Sequence, residues 1–448
     1  MQNAQVYIWL QAILAERFGA GITLSEPQQG YAVLSVAGSP LTIRIIADPA
    51  TFTRADSNLP FSSWDGAGEG WKMPLKQALP APGLDKLRTP LIEQSEAGFI
   101  IHYDILGLTY WMLSRQEEVD RTEMDHHGRF PATASHACKH NYLERPLVDE
   151  WLDVLGQVFK RLWPGISLNK HTFSMRVSHD VDWASRYGFF GFMLFLRTMA
   201  CDVIKQRNPG LALKASAIWY RSHKHLHPQD PYNTFDWIMD ASELHGLVSA
   251  FYFICGRTNS AMDTWYEPEH PAIRELLRHI HARGHEIGLH PSYNTYKKPE
   301  IFISEAQRLK RICAEEGIEQ SGWGGRMHIL RWATPSTLYG WEQSGMTYDS
   351  TLTYADRPGF RCGTCFEYPA FDPVRGVALN LRLRPLVAME STIIASRYMG
   401  LGTSDVARAK FLELKSICRA VNGCFTLLWH NSELDSPQKQ QLYISLLA

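Results

Sequence analysis

From about residue 170 to the C-terminus, stretches of β-type and α-type hydrophobic patterning alternate, and this restricts the fold more than any other feature of the chain. HTFSMRVS reads as a strand, 234–244 as a helix, SAFYFI as a strand, 271–283 as a helix and HEIGLH as a strand. A helix over 299–316 follows, with Phe302, Ala306, Leu309 and Cys313 on one face and Gly317 placed to end it. GGRMHI then reads as a strand, and Thr334 as N-cap with Pro335 at the first helical position opens another helix. A helix over 404–420, the apolar strand CFTLLWH and a helix over 436–447 complete the series. Repeated β-then-α units with apolar strands predict a parallel sheet or (β/α) barrel, in which polar residues at the C-terminal strand ends face the functional site.

Residues 1 to about 165 have another texture. Short β-like runs (YAVLSVAG, LTIRIIA, GFIIHYDI) mix with helical pieces such as 107–119, separated by turn clusters such as Asp65 to Gly68, and Pro164-Gly165 punctuates the chain. The expected organisation is a smaller α/β domain over 1–165 followed by an α/β barrel over 170–448. With 45 Lys and Arg against 46 Asp and Glu, the net charge of −1 gives no global field for nucleic acid. Eight scattered cysteines are too sparse for a disulfide scaffold and favour a reducing, cytoplasmic compartment. The opening MQNAQVYIWLQAILAERFGA reads as an amphipathic helix rather than a secretory signal, since no Lys or Arg precedes its apolar residues. FFGFMLFLRTMA over 189–200 falls short of the roughly 20 residues of a spanning helix. It reads as a buried or docking helix, with interfacial membrane contact as the alternative, so no transmembrane segment is expected.

The strand ends of the second half carry the chemistry. His179, Asp180 and Asp182 follow the first strand, His290 the third, Arg326 and His328 the fourth, and His430 and Asn431 the last. One such residue alone is more often a satisfied structural group, whereas a set along one sheet edge points to a site. Carboxylates and imidazoles without thiolates suit Zn, Mn, Fe or Co in an open catalytic centre. Asp180 and Asp182, two apart on extended chain, face the same way, the geometry of a base and a ligand. His285 and His290 are five apart and point to opposite faces of a regular strand. His290, at the C-terminal edge, is the ligand candidate, and His285 reads as a buried, hydrogen-bonded imidazole.

The order of HDVD, GHEIGLHPSYN, a Gly-Gly-Arg strand and LLWHN resembles carbohydrate esterase family 4, the NodB-homology polysaccharide deacetylases, over residues 170–448. The resemblance implies a deformed (β/α) barrel of NodB-homology type and metal-dependent removal of an N-acetyl group from an amino sugar. It implies Asp180 as general base, Asp182 and His290 as metal ligands, and Arg326 as the arginine that orients the base, with Arg331 competing. Leu428 would line the acetyl pocket and His430 would be the general acid. The family's second motif, H-x-x-x-H, has Asn294 where its second histidine would stand, so Asn294 is the expected third ligand and His328 the alternative. Trp183 and Trp429, beside HDVD and His430, are expected near substrate. One divalent metal is implied, zinc first, with Mn, Co or Fe as alternatives.

RMHILRWATPSTLYGWEQSGMTYDSTL and RPLVAMESTI, with DILGLTYWMLSRQEE and DHHGRFPA in the first half, resemble a bacterial branch associated with surface-polysaccharide biosynthesis. The implied substrate is an N-acetylated sugar or glycan, a lipid-linked carrier included, and the implied location the cytoplasm or the inner face of the membrane. Because Asn294 replaces a ligand, a catalytically silent carbohydrate-binding or scaffold protein is the rival of a different class, and hydrolysis of a non-sugar C–N amide bond is a second. Cys362-x-x-Cys365 lacks a second pair and reads as a turn with incidental thiols. KASAIWYRSHKHLH over 214–227 reads as a solvated basic insertion, with a phosphorylated or lipid-linked glycan as its functional alternative. Asp125 to Arg129 reads as a structural or interdomain loop.

Overall fold

The computed structural model describes residues 2–204, 209–222 and 224–448. Before residue 165 lie β1 (Ile22–Leu24), β2 (Tyr31–Val36), β3 (Thr42–Ile46), β4 (Phe61–Trp64), β5 (Leu79–Pro82), β6 (Ile92–Ser95) and β7 (Gly98–Ile101). Five of them form a sheet in the order β1-β2-β3-β7-β6, parallel only between β3 and β7, and β4 and β5 make a separate antiparallel pair. Period-two alternation in β2 and β3 buries Ala32, Leu34, Ile43 and Ile45. Helix Gln2–Phe18 packs on β1 and also on the second sheet.

That second sheet holds β8 (Ser174–Val181), β9 (Ser249–Phe253), β10 (Glu286–Leu289), β11 (Gly324–Gly325), β12 (Tyr348–Asp349), β13 (Tyr368–Asp372), β14 (Val377–Leu383), β15 (Ala388–Met389) and β16 (Cys424–Leu428). The order is β13-β14-β12-β11-β10-β9-β8-β16-β15, parallel throughout except for the β13–β14 pair. From β8 to β12 and on to β14, each parallel strand is laid on the same side of the one before, the winding of a (β/α) barrel. β16 then returns to the free side of β8. No ladder joins β13 to β15 among the described residues, so the sheet is open where a barrel would close.

Most expected helices stand within a residue or two of their sequence boundaries, and Phe302, Ala306, Leu309 and Cys313 are all fully buried. Two expectations need correction. The helix after Thr334 is Ser336–Gln343, with Pro335 at the cap position and no side-chain cap. GGRMHI is a strand only at Gly324–Gly325, after which the chain turns, with Ile329 at φ 58° and Leu330 at φ 57°. The glycine pair has a packing cause: a Cβ on Gly325 would sit 1.8 Å from the Leu289 carbonyl oxygen. Only glycine lets β11 come that close to β10.

One hydrophobic core runs through both parts of the chain. Polar contacts join them as well. Trp9 donates its indole N–H to the Pro369 carbonyl at 2.9 Å. Arg115 reaches Glu118 at 2.8 Å and Glu117 at 3.1 Å, and Arg361, from the second part, reaches both oxygens of Glu118 at 3.0 and 2.5 Å. All four side chains are buried. Burial pushes the Glu118 carboxyl up, but the Arg361 and Arg115 guanidiniums outweigh it and hold it below its ordinary range. Glu118→Ala leaves two buried cations short of their counter-charge, so we expect a loss of roughly 3–5 kcal/mol, read as a lowered Tm. Because the core is continuous, both parts should unfold in that one shifted transition.

Candidate active site

Five strand ends converge. Asp180 closes β8 with Asp182 just beyond it, His290 follows β10, Arg326 and His328 follow β11, Glu390 follows β15 and His430 follows β16. Alternation along β8 sends His179 away from the site, where Nδ1 donates to the Trp429 carbonyl at 2.7 Å and Nε2 lies 3.1 Å from Ser249 Oγ. Asp180 points into it. Its Oδ1 accepts from Arg326 Nη1 at 2.7 Å, and the guanidinium also donates to Ser178 Oγ at 2.9 Å, Ser350 Oγ at 3.0 Å and the Ser350 carbonyl at 2.9 Å.

Asp182 Oδ1 lies 3.2 Å from His290 Nε2 and 3.6 Å from His328 Nε2. One ligand atom from each of these three residues lies within 4.8 Å of the other two. The far nitrogens fix the tautomers: His290 Nδ1 donates to the Arg326 carbonyl at 2.6 Å, and His328 Nδ1 donates to Asp263 Oδ1 at 3.0 Å. Both Nε2 lone pairs therefore face Asp182, and the two acceptors orient the rings as the outer shell of a metal site does. Asp263 is itself held by the backbone N–H groups of Thr258 (2.8 Å), Asn259 (2.7 Å) and Tyr293 (2.7 Å).

Asp182 Oδ1 and His290 Nε2 are buried and have no hydrogen-bond partner; their approach lacks hydrogen-bond geometry. Two orphaned acceptors facing each other out of water are costly, and a cation between them would satisfy both. The N2O donor set fits Zn, Mn, Co or Fe. Burial pushes the Asp182 carboxyl up, yet imidazolium charge on His328 first, then His290 and His430, holds it far below the carboxylate range; a cation between neutral imidazoles would take the place of that charge.

His430 lies across the same carboxylate, its Nε2 3.7 Å from Asp182 Oδ2. Its Nδ1 meets Glu390 Oε1 at 2.5 Å. Burial alone would lower its pKa, but the Glu390 charge and hydrogen bond, with Asp182 and Asp180 behind them, push it up to about 10. Glu390 is 2% exposed.

The turn carrying His328 is gripped by the N-terminal part of the chain. Arg129 Nη1 donates to the carbonyl of Ile329 at 2.9 Å, Arg331 Nε donates to the His127 carbonyl at 2.6 Å, and His127 Nδ1 lies 3.0 Å from the Tyr293 hydroxyl. The Asp125 to Arg129 stretch thus lies at the edge of the site, bonded to the turn that carries His328. Arg331, the competing partner for Asp180, is used here and stacks on Tyr293 and Tyr296; the arginine at Asp180 is Arg326.

The other sequence expectations meet the geometry in different ways. Asn294 does not join the cluster, because Nδ2 donates to the Thr258 carbonyl at 2.9 Å and Oδ1 accepts from Arg331 at 3.2 Å. His328 takes the third position. Trp429 does not face the strand-end cluster: alternation along β16 turns it inward, fully buried between Phe411 and Tyr443. Leu428 faces the other way, in an apolar group with Leu330, Leu386 and Met389, and Trp183 is half-buried with its ring 6.1 Å from Phe190. His285 is the structural imidazole expected, accepting from the Ser249 N–H at 3.0 Å. The eight cysteines are free.

Asp263 and Glu390 escaped the sequence reading. Glu390 follows a two-residue strand too short to show periodicity, and Asp263 sits in the loop after β9, where only a carboxylate downstream of a strand could have signalled it.

Residues 9–164 match a family of unknown function (DUF7033). No curated protein matches the chain. Among solved structures, the chain is similar to a candidate polysaccharide deacetylase from Mycobacterium smegmatis, at 16% identity and TM-score 0.38 over 62% of this chain and 83% of that one. It is also similar to Puue allantoinase, at 13% identity and TM-score 0.36 over 63% and 84%.

Titrating the purified, metal-stripped protein with Zn or Co should separate these assignments. His328→Ala is expected to weaken binding more than about 100-fold and Asp263→Asn by roughly 10–100-fold, as outer-shell partners do, while Asn294→Ala leaves it unchanged.

Proposed function

We propose that the chain is a metal-dependent N-deacetylase that removes acetyl from an N-acetylated amino sugar in surface-polysaccharide assembly. Residues 170–448 form the catalytic part and residues 1–165 its support. The observation that carries this reading is the meeting, at one strand edge, of a His2Asp group, a carboxylate clamped by a buried arginine, and a histidine clamped by a buried carboxylate. Asp182, His290 and His328 would hold the metal, zinc before Mn, Co or Fe. When bound, it supplies Lewis acidity toward an amide carbonyl and lowers the pKa of water.

The remaining work belongs to side chains. Arg326 fixes Asp180 through Oδ1, which leaves Oδ2 to take the proton of an attacking water. His430 keeps a proton on Nε2 because Glu390 stabilises the imidazolium, and gives it to the amine nitrogen as the C–N bond breaks. Leu428, with Leu330, Leu386 and Met389, offers an apolar wall suited to an acetyl methyl. The amino-sugar and surface-glycan parts of the reading rest on the motif resemblance.

Asp180→Asn is expected to lower kcat on an N-acetylated oligosaccharide by about 10²–10⁴-fold with metal content unchanged. Full activity in that variant would remove Asp180 as base. Glu390 raises the His430 pKa, so the protonated acid persists to higher pH; Glu390→Gln should move the alkaline limb of the kcat profile down by about 1–3 pH units. Running ureides and small amides in the same assay tests the substrate class: turnover of these without N-acetyl sugars would replace the proposed reaction.

A further inference from the structure

Between β8 and helix Phe235–Leu244 the chain leaves the sheet as a helical hairpin, Phe192–Ile204 and Pro209–Arg221. This is the FFGFMLFLRTMA segment and much of the basic stretch that follows, of which His223 lies outside the described residues. The hairpin has its own small core. Tyr187, Phe195, Ala215 and Ile218 are buried there, Phe195 stacks on Trp219 at 5.0 Å, and Arg186 and Tyr187 both bond the buried Asp202.

The inner face is therefore satisfied, and the outer face is apolar too. Phe192 is 58% exposed, Met193 78%, Ile204 74% and Leu213 84%. In the first helix the exposed apolar residues recur at 192–193, 196, 200 and 203–204, a helical spacing that makes one stripe. Charge beside the stripe has one sign. Residues 189–227 contain six Lys or Arg and a single acid, Asp202, in a chain whose net charge is −1. Arg197, Lys214, Arg221 and Lys224 are exposed and form no salt bridge among the described residues.

We infer that this hairpin docks the protein on a bilayer bearing anionic lipid headgroups. The stripe enters the boundary between headgroups and acyl chains, and the four basic side chains meet lipid phosphates. An isologous dimer through the same face would press two basic surfaces together. Neither described helix is long enough to span, because 13 residues cover roughly 20 Å of a hydrocarbon core of roughly 30 Å. The root of the hairpin adjoins the site: Trp183, next to Asp182, packs on Phe190, whose ring lies 6.5 Å from Trp265. A docked hairpin would hold the mouth of the site near the membrane. The inference is independent of the reaction proposed above, since its test reads lipid binding and no turnover.

The test is flotation of the full-length protein with vesicles of phosphatidylcholine alone or with about one third phosphatidylglycerol. Expected is binding to the anionic vesicles, at least about tenfold weaker binding to the neutral ones, and release as salt rises and screens the headgroup charge. Met193→Glu with Leu196→Glu, and separately Lys214→Glu with Arg221→Glu, should each cut anionic-vesicle binding by roughly 30-fold or more. Both pairs are exposed, so an unchanged Tm is expected and shows that the loss is not unfolding. No binding to either vesicle overturns the inference. So does equal binding that neither pair affects, or a dimer in sizing chromatography that Met193→Glu dissolves.

Discussion

The guanidinium of Arg326 is the contact on which the second half of the chain depends. It is 1% exposed, and a cation that deep survives only if its donors are matched. They are matched by Ser178 and Asp180 at the end of β8 and by the side chain and carbonyl of Ser350 just past β12. One side chain leaving β11 thus ties three strands together at the edge where the chemistry gathers. Its own carbonyl completes the arrangement by fixing the tautomer of His290. The orientation of the Asp180 carboxylate and the orientation of His290 are consequences of a single residue's placement, and that placement needs Gly325, which lets β11 close on β10.

Charge elsewhere in the interior follows the same rule. Arg115, Glu117, Glu118 and Arg361 form a buried set across the two parts of the chain, His328 with Asp263 is a buried pair beside the site, and half-buried His430 is held there by buried Glu390. Each joins segments far apart in sequence. Such pairs contribute less to net stability than to a unique arrangement, because breaking one strands a partner away from water. The polar groups of the site sit at strand ends, and two of the residues that aim them are held by the backbone, Asp263 by three N–H groups and Arg326 by the Ser350 carbonyl.

Much of this was readable beforehand because strand alternation is a strong physical signal. It separated His285 from His290 and put Asp180 and Asp182 on one side. The same rule applied to LLWHN would have placed Trp429 opposite Leu428 and His430, inside the core, where it lies. GGRMHI failed as a strand for a different reason. Its hydrophobic pattern is β-like, but the chain turns after Gly325, and Ile329 and Leu330 take left-handed conformations that nothing in their residue types announces. That turn brings His328 beside Asp182 and His290, the cluster to which the residue at the motif's missing histidine, Asn294, does not belong. Asn294 is spent on Thr258 and Arg331, tertiary partners that no local pattern encodes. Glu390 and Asp263 were hidden likewise, since a carboxylate that aims a histidine is recognised only once both are placed in space.

The left-handed turn at Ile329 carries one more implication. A β-branched residue in that conformation costs on the order of 1–3 kcal/mol and persists only where its surroundings enforce it. Part of that enforcement is the hydrogen bond from Arg129, a residue of the first part of the chain, to the Ile329 carbonyl. The N-terminal part therefore acts as a jig for a cluster to which it contributes no side chain. A fragment beginning near residue 170 would retain every side chain of the cluster and still lose the clamp on the turn that positions His328.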